Sequence, residues 1–187
     1  MAYFAPTALN DALSLLASED VSIIAGGSDV FPAQGQAPLQ NSLLDVTRIE
    51  GLAGLQWGSN GLRIGAATRW SEIVKADLPD CYAELQAAAL TVGSVQIQNS
   101  GTIAGNICNA SPAADGMPPL MALGAEVEIA GPDGHRQMPV GEFVTGPRQT
   151  QLRAGELVTA IHVRSLPSHT CGAFEKLGSR SYLVISI

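Results

Sequence analysis

The chain has 187 residues, 46% of them hydrophobic, which suffices for one packed domain of ordinary size or two small lobes and excludes a disordered chain. Ten basic against 17 acidic residues give a net charge of -7, which excludes a general nucleic-acid surface. No basic amphipathic helix for a membrane surface and no apolar run of roughly 20 residues is present, so neither a peripheral membrane anchor nor a spanning helix is predicted.

The N-terminal stretch MAYFAPTALNDAL lacks a basic segment followed by an apolar one, so no signal peptide is predicted. Residues 3–20 predict an extended lead-in and then a helix, with Thr7 or Asn10 as its cap and Leu9, Ala12, Leu13 and Leu16 on its apolar face. VSIIAGG predicts a short buried strand that ends at paired glycines. DVFPAQGQAPLQ predicts a short helix and a loop, and NSLLDVTRI a second strand. LAGLQWGSNGLRIGAAT predicts a hairpin about the GSNG turn. RWSEIVKAD starts a helix capped by Thr68, and PDCYAELQAAALTVG gives another.

Residues 99–115, NSGTIAGNICNASPAAD, predict a polar, glycine-bearing loop between a helical and an apolar run. GMPPLMALGAEVEIAGPDGHRQMPV gives a short helix and two strands about a GPDG turn. A helical turn, a loop and a strand over residues 156–163 follow. CGAFEKLGSRSYLVISI begins as a strand and stops inside an apolar run, so a further C-terminal portion is expected. Helices and strands mix without a steady βαβ rhythm. The prediction is an α+β fold in two lobes, residues 1–55 and 56–187.

Two glycine-rich turns stand out. In IIAGGSDV (residues 23–30), glycine permits positive φ and lets successive amides approach an anion closely. The ordinary alternative is a tight strand-to-helix turn. The second turn is TIAGN (residues 102–106). Two such loops, distant in sequence, suit the two phosphates of a pyrophosphate. Thr102, Asn106, Asn109 and Ser111 add polar side chains, and Asp115 could accept hydrogen bonds from a ribose or adenine edge.

Other motifs are missing. No GxGxxG follows the first strand, and no Walker A loop, GxSxG elbow or HExxH is present. His135, His162 and His169 are scattered and are read as surface or structural residues. Cys81, Cys108 and Cys171 form no CxxC pair, which predicts free thiols in a reducing, cytoplasmic setting and no iron–sulfur cluster on this chain. Cys108 is read as a buried filler and not a nucleophile. No catalytic residue and no metal ligand is predicted.

The motifs IIAGGSDV, GTIAGNICNASPAADGMPPLMALGAEVEI, GELVTAIHV and FEKLGSR, in this order and spacing, resemble the FAD-binding medium subunit of molybdenum hydroxylases of the xanthine dehydrogenase and carbon monoxide dehydrogenase type. The resemblance covers about residues 3–187. It implies the two-lobed FAD-binding fold of the p-cresol methylhydroxylase and vanillyl-alcohol oxidase type, with a further C-terminal domain. By position it places Ile23, Ile24, Ala25, Gly26, Gly27, Ser28, Asp29 and Val30 along the FAD pyrophosphate. It places Thr102, Ile103, Ala104, Gly105 and Asn106 in a second phosphate-binding turn and Asp115 on the ribose or adenine side. Val158 and Lys176 would lie near the flavin. Ala104 stands where the family often has glycine, which requires a negative φ there.

The resemblance further implies an electron-transfer role. Electrons would arrive from [2Fe–2S] clusters on a small subunit, fed by a large molybdopterin-binding subunit, and leave to NAD or another acceptor. The alternatives are a self-contained flavin oxidase on the same fold and a non-catalytic dinucleotide-binding module.

Overall fold

The structure, a computed structural model, describes residues 1–167 and 169–176. Strand β1 (Tyr3–Phe4) leads into helix α1 (Leu9–Ser18), strand β2 (Val21–Ile24), helix α2 (Val30–Gln34) and strand β3 (Ser42–Asp45). The three strands form a parallel sheet in the order β1-β3-β2. β2 is therefore an edge strand and only half buried: Ile24 faces the core while Ile23 is exposed. The fully buried strand predicted for VSIIAGG corresponds instead to the central β3, where Leu43 and Leu44 are buried.

The second sheet is antiparallel, β4-β5-β10-β6-β7. β4 (Leu55–Gly58) and β5 (Gly61–Gly65) close on a two-residue turn, with Gly58 opposite Gly61. β6 (Glu126–Gly131) and β7 (Gly134–Pro139) close on Pro132–Asp133 in the same way. The central β10 (Leu157–Val163) pairs with both hairpins and is buried at all positions but His162. At its start, Glu156 receives the Arg136 guanidinium in a fork at 2.8 and 2.7 Å. That pair holds the Glu156 carboxyl below the usual carboxylate range. On the same sheet His162 Nε2 lies 2.8 Å from Glu128 Oε2, a structural role.

Between β5 and β6 run helices α3 (Trp70–Lys75), α4 (Ala83–Thr91), α5 (Val95–Ser100), α6 (Ile103–Asn109) and α7 (Met117–Ala122). A 3₁₀ turn, Asp80–Tyr82, precedes α4. Helix α8 (Val140–Phe143) and the small hairpin β8 (Val144–Gly146)–β9 (Gln149–Thr150) precede β10. Trp70, Leu44, Ile64, Ile103, Ile107 and Ile161 meet in one core between the sheets and the helices. Among the described residues no helix is long and apolar enough to cross a membrane.

Several local expectations are corrected. Neither Thr7 nor Asn10 caps α1; the N-cap is Ala8, and the Thr7 carbonyl is instead tied to the Glu50 amide at 2.9 Å. Thr68 does not cap α3. Its hydroxyl is fully buried and bonded to both the amide (2.9 Å) and the carbonyl (3.1 Å) of Gly54. The cap falls on Arg69, whose amide donates to Glu72 Oε2 at 2.8 Å. The predicted loop over 99–115 contains helix α6. Glycine and asparagine disfavour a helix there, but tertiary hydrogen bonds to its first turn override propensity. Residues 171–176 carry no strand. The apolar run SYLVISI and the end of FEKLGSR lie outside the described residues.

Candidate functional site: a cleft between the two sheets

A cavity of about 310 Å³ opens where the C-terminal end of β2 meets the start of α6 and the start of β10. Its polar end is the loop from β2 to α2. Its walls are apolar: Trp70, Val92, Ile97, Leu157 and Val158.

The two glycine turns lie against each other. A Cβ at Gly26 would sit 1.8 Å from the Ser100 carbonyl oxygen and 2.9 Å from Gly101 Cα, so backbone meets backbone at the junction of α5 and α6. Only glycine permits this approach. Gly27 adopts φ 67°, which turns the chain into α2. The amides of Gly26, Gly27, Ser28 and Asp29 donate to no protein group among the described residues, although they line the cavity. Four consecutive uncommitted N–H groups at a concave wall form an anion-binding arrangement.

The second turn differs from the predicted second amide nest. Its first-turn amides are already used: Ile103 donates to Thr68 O (3.0 Å), Ala104 to Ala66 O (3.2 Å), Gly105 to Thr102 Oγ1 (3.1 Å) and Asn106 to Thr102 O (3.0 Å). What this turn offers the cavity is side chains, Thr102 and Asn106. Asn106 Oδ1 is buried without a partner among the described residues, and a buried orphan acceptor marks a place for an incoming donor. Ala104 lies inside α6 and has no positive φ, so its methyl is tolerated.

Of the predicted site residues, Ile23, Ala25, Gly26, Gly27, Ser28, Asp29, Val30, Thr102, Ala104, Gly105, Asn106 and Val158 line this one cavity. Ile24 and Ile103 are buried beneath it as core. Asp115 and Lys176 line a different cavity of about 300 Å³, where their side chains pair at 2.8 Å. Sequence reading missed Trp70, whose core-like pattern hides that one edge faces the cavity, and Ala66, which no local motif marks. It also missed Arg148, taken up below.

Cys108 lies on the cavity wall, and burial pushes its thiol up to about 12. At pH 8 only about one thiol in 10⁴ is then ionised. A maleimide at that pH is expected to label exposed Cys171 and leave Cys108 unreacted, read by peptide mass.

A profile of the family described as "FAD binding domain in molybdopterin dehydrogenase" matches residues 1–165. The chain belongs to this family. The putative xanthine dehydrogenase FAD-binding subunit of Escherichia coli (strain K12) is 32% identical over 189 residues, covering 98% of this chain. This chain spans 65% of that relative's length. Carbon monoxide dehydrogenase from Hydrogenophaga pseudoflava superposes with a TM-score of 0.89 at 29% identity, over 97% of this chain and 65% of that one. Quinoline 2-oxidoreductase from Pseudomonas putida 86 shares the fold, with a TM-score of 0.89 at 23% identity, over 100% and 66% of the two chains. The architecture is the two-lobed α+β FAD-binding fold of the p-cresol methylhydroxylase type. FAD is the cofactor of this domain. The cleft fits that group: free amides and Asn106 at one end suit a diphosphate with its sugar hydroxyls, and apolar walls suit a ring system.

Proposed function

We propose that this FAD-binding domain is the electron-passing part of an oxidoreductase of the molybdenum hydroxylase type. In this reading the FAD lies between the lobes of residues 1–55 and 56–187. Electrons come from the [2Fe–2S] clusters of a partner subunit, downstream of a molybdopterin-binding large subunit, and go to NAD or another acceptor. The observation that carries the reading is that Gly26 to Asp29, whose amides donate to no protein group among the described residues, line the same cavity as Val92, Ile97 and Val158.

FAD supplies the one- and two-electron chemistry when bound. The residues of this chain hold and orient it. The amides of residues 26–29 would neutralise the diphosphate by dipoles, as no Lys or Arg among the described residues lines the cavity. Thr102 would offer its hydroxyl to a phosphate oxygen, and Asn106 Oδ1 would accept from an adjoining hydroxyl. Val92 and Val158 would offer an apolar wall to the ring system. The titratable groups on the cavity wall are Asp29 and Cys108, and the latter stays protonated. Asp115 and Lys176 hold the segment after β10 against the α6–α7 connection.

The test is purification of the full-length protein from its source. Co-elution with iron, acid-labile sulfide and molybdenum is expected, with flavin absorbance near about 450 nm released on denaturation. Flavin that stays with the denatured chain, in a preparation free of molybdenum, would establish the self-contained oxidase instead.

A further inference from the structure

Arg148 sits in the turn of the β8–β9 hairpin with φ 59°, a conformation that a non-glycine residue rarely adopts. It is pinned twice to the C-terminal end of α6. Its amide donates to Ala110 O at 2.9 Å, and its guanidinium Nη1 donates to Asn109 Oδ1. Asn109 Nδ2 in turn donates to Asp29 Oδ1 at 2.7 Å. Asn109 and Asp29 both line the cleft, and Asp29 follows directly on the free amides.

This geometry presents an electrostatic problem and its solution. Asp29 places a carboxylate beside a site for a diphosphate, on a chain of net charge -7. Like charges at such range repel. Ionised Asp29 only accepts, so the Asn109 carboxamide meets it with its NH₂ and leaves its oxygen for a donor on the other side. A guanidinium has donors only, so it accepts only the Asn109 oxygen as partner. Arg148 thereby reinforces the amide orientation that places its NH₂ on Asp29. It also brings a permanent positive charge close to a cavity that no Lys or Arg among the described residues lines.

We propose that Arg148 is a positioning residue for FAD: through Asn109 it neutralises Asp29 and holds it away from the cofactor's diphosphate. The proposal rests on the reading of the cleft given above. Alanine at 148 keeps the strained backbone and removes only the guanidinium.

The test is FAD affinity of the full-length protein, by quenching of flavin fluorescence on titration of the deflavinated form. Arg148→Ala is expected to raise the Kd about 10-fold or more, and Arg148→Lys, which keeps charge and donor, to stay within about threefold of the parent. In the Arg148→Ala background, Asp29→Asn is expected to restore affinity to within about threefold, because the uncompensated carboxylate is gone. A purely structural pin is not relieved by that second change. A Kd for Arg148→Ala within twofold of the parent overturns the proposal, as does a double variant no tighter than Arg148→Ala alone. Should Arg148→Ala melt before titration, Asn109→Leu cuts the same link. Its loss of affinity, and restoration by Asp29→Asn, are then the results expected, and a Kd within twofold overturns the proposal. Gly26→Val is the control. If it too retains FAD, the reading of the cleft has failed; if it loses FAD while Arg148→Ala keeps it, only the role of Arg148 has failed.

Discussion

Gly26→Val in the full-length protein is expected to weaken FAD binding by at least about 100-fold, or about 3 kcal/mol. The atom that a side chain would meet first is the Ser100 carbonyl oxygen, 1.8 Å from the position of a Cβ. That oxygen belongs to the backbone, so no rotamer change relieves the collision. The loop must move off the α5–α6 junction, and the amides of residues 26–29 lose their aim at the cavity. The lesion lies on the loop, above the buried Ile24 and Leu44, so the fold is expected to persist, checked by circular dichroism. Gly35→Ala serves as the contrast. Gly35 has positive φ, 59°, which Gly26 does not, but nothing lies within 4 Å of its Cβ position. About 1 kcal/mol of stability is expected to be lost there, with FAD affinity unchanged. FAD affinity equal in Gly26→Val and the parent would remove the loop from the site.

Trp70→Ala is expected to cost about 3–5 kcal/mol of stability, seen as a fall in Tm of about 6–20 °C. Trp70 is 1% exposed. Its ring lies under Gly116, where a Cβ would come within 2.7 Å, and beside Gly101, at 3.6 Å from the Cβ position. It therefore supports the α6–α7 connection and the α5–α6 junction at once. Its own amide donates to Gly101 O at 3.2 Å, which fixes that junction to the start of α3. Alanine leaves a void that this surrounding backbone cannot fill. The same residue lines the cleft, so FAD affinity is expected to fall together with stability. A loss under about 1 kcal/mol would mean that the pocket collapses freely and that Trp70 is not its support.

The hairpins were legible because two-residue turns flanked by glycine encode their register locally, as Gly58 facing Gly61 and Gly131 facing Gly134 show. The turn of the chain between β2 and α2 was legible for a related reason: paired glycines after a strand permit the positive φ that Gly27 adopts. Other features depended on partners distant in the chain. Helix α6 is held by the carbonyls of Thr68 and Ala66, and those bonds both create the helix and consume the amides expected to bind phosphate. Thr68 reads locally as a cap, yet Gly54, fourteen residues earlier, claims its hydroxyl. Asp115 and Lys176 share a family pattern with the cleft residues but satisfy each other in a second cavity. Arg148 carries no local signal at all, because its partners lie on α6 and, through Asn109, on the β2–α2 loop.

Amide hydrogen exchange of the full-length protein, with and without FAD, addresses the anion-binding loop without any mutation. Residues 103–106 already donate within the protein, so their exchange is expected to change little. The amides of Gly26, Gly27, Ser28 and Asp29 have no acceptor among the described residues and are expected to slow about 10-fold or more when the diphosphate takes them up. Unchanged exchange at these four amides, with protection centred instead around Asp115 and Lys176, would contradict the placement of the cofactor's diphosphate in this cleft.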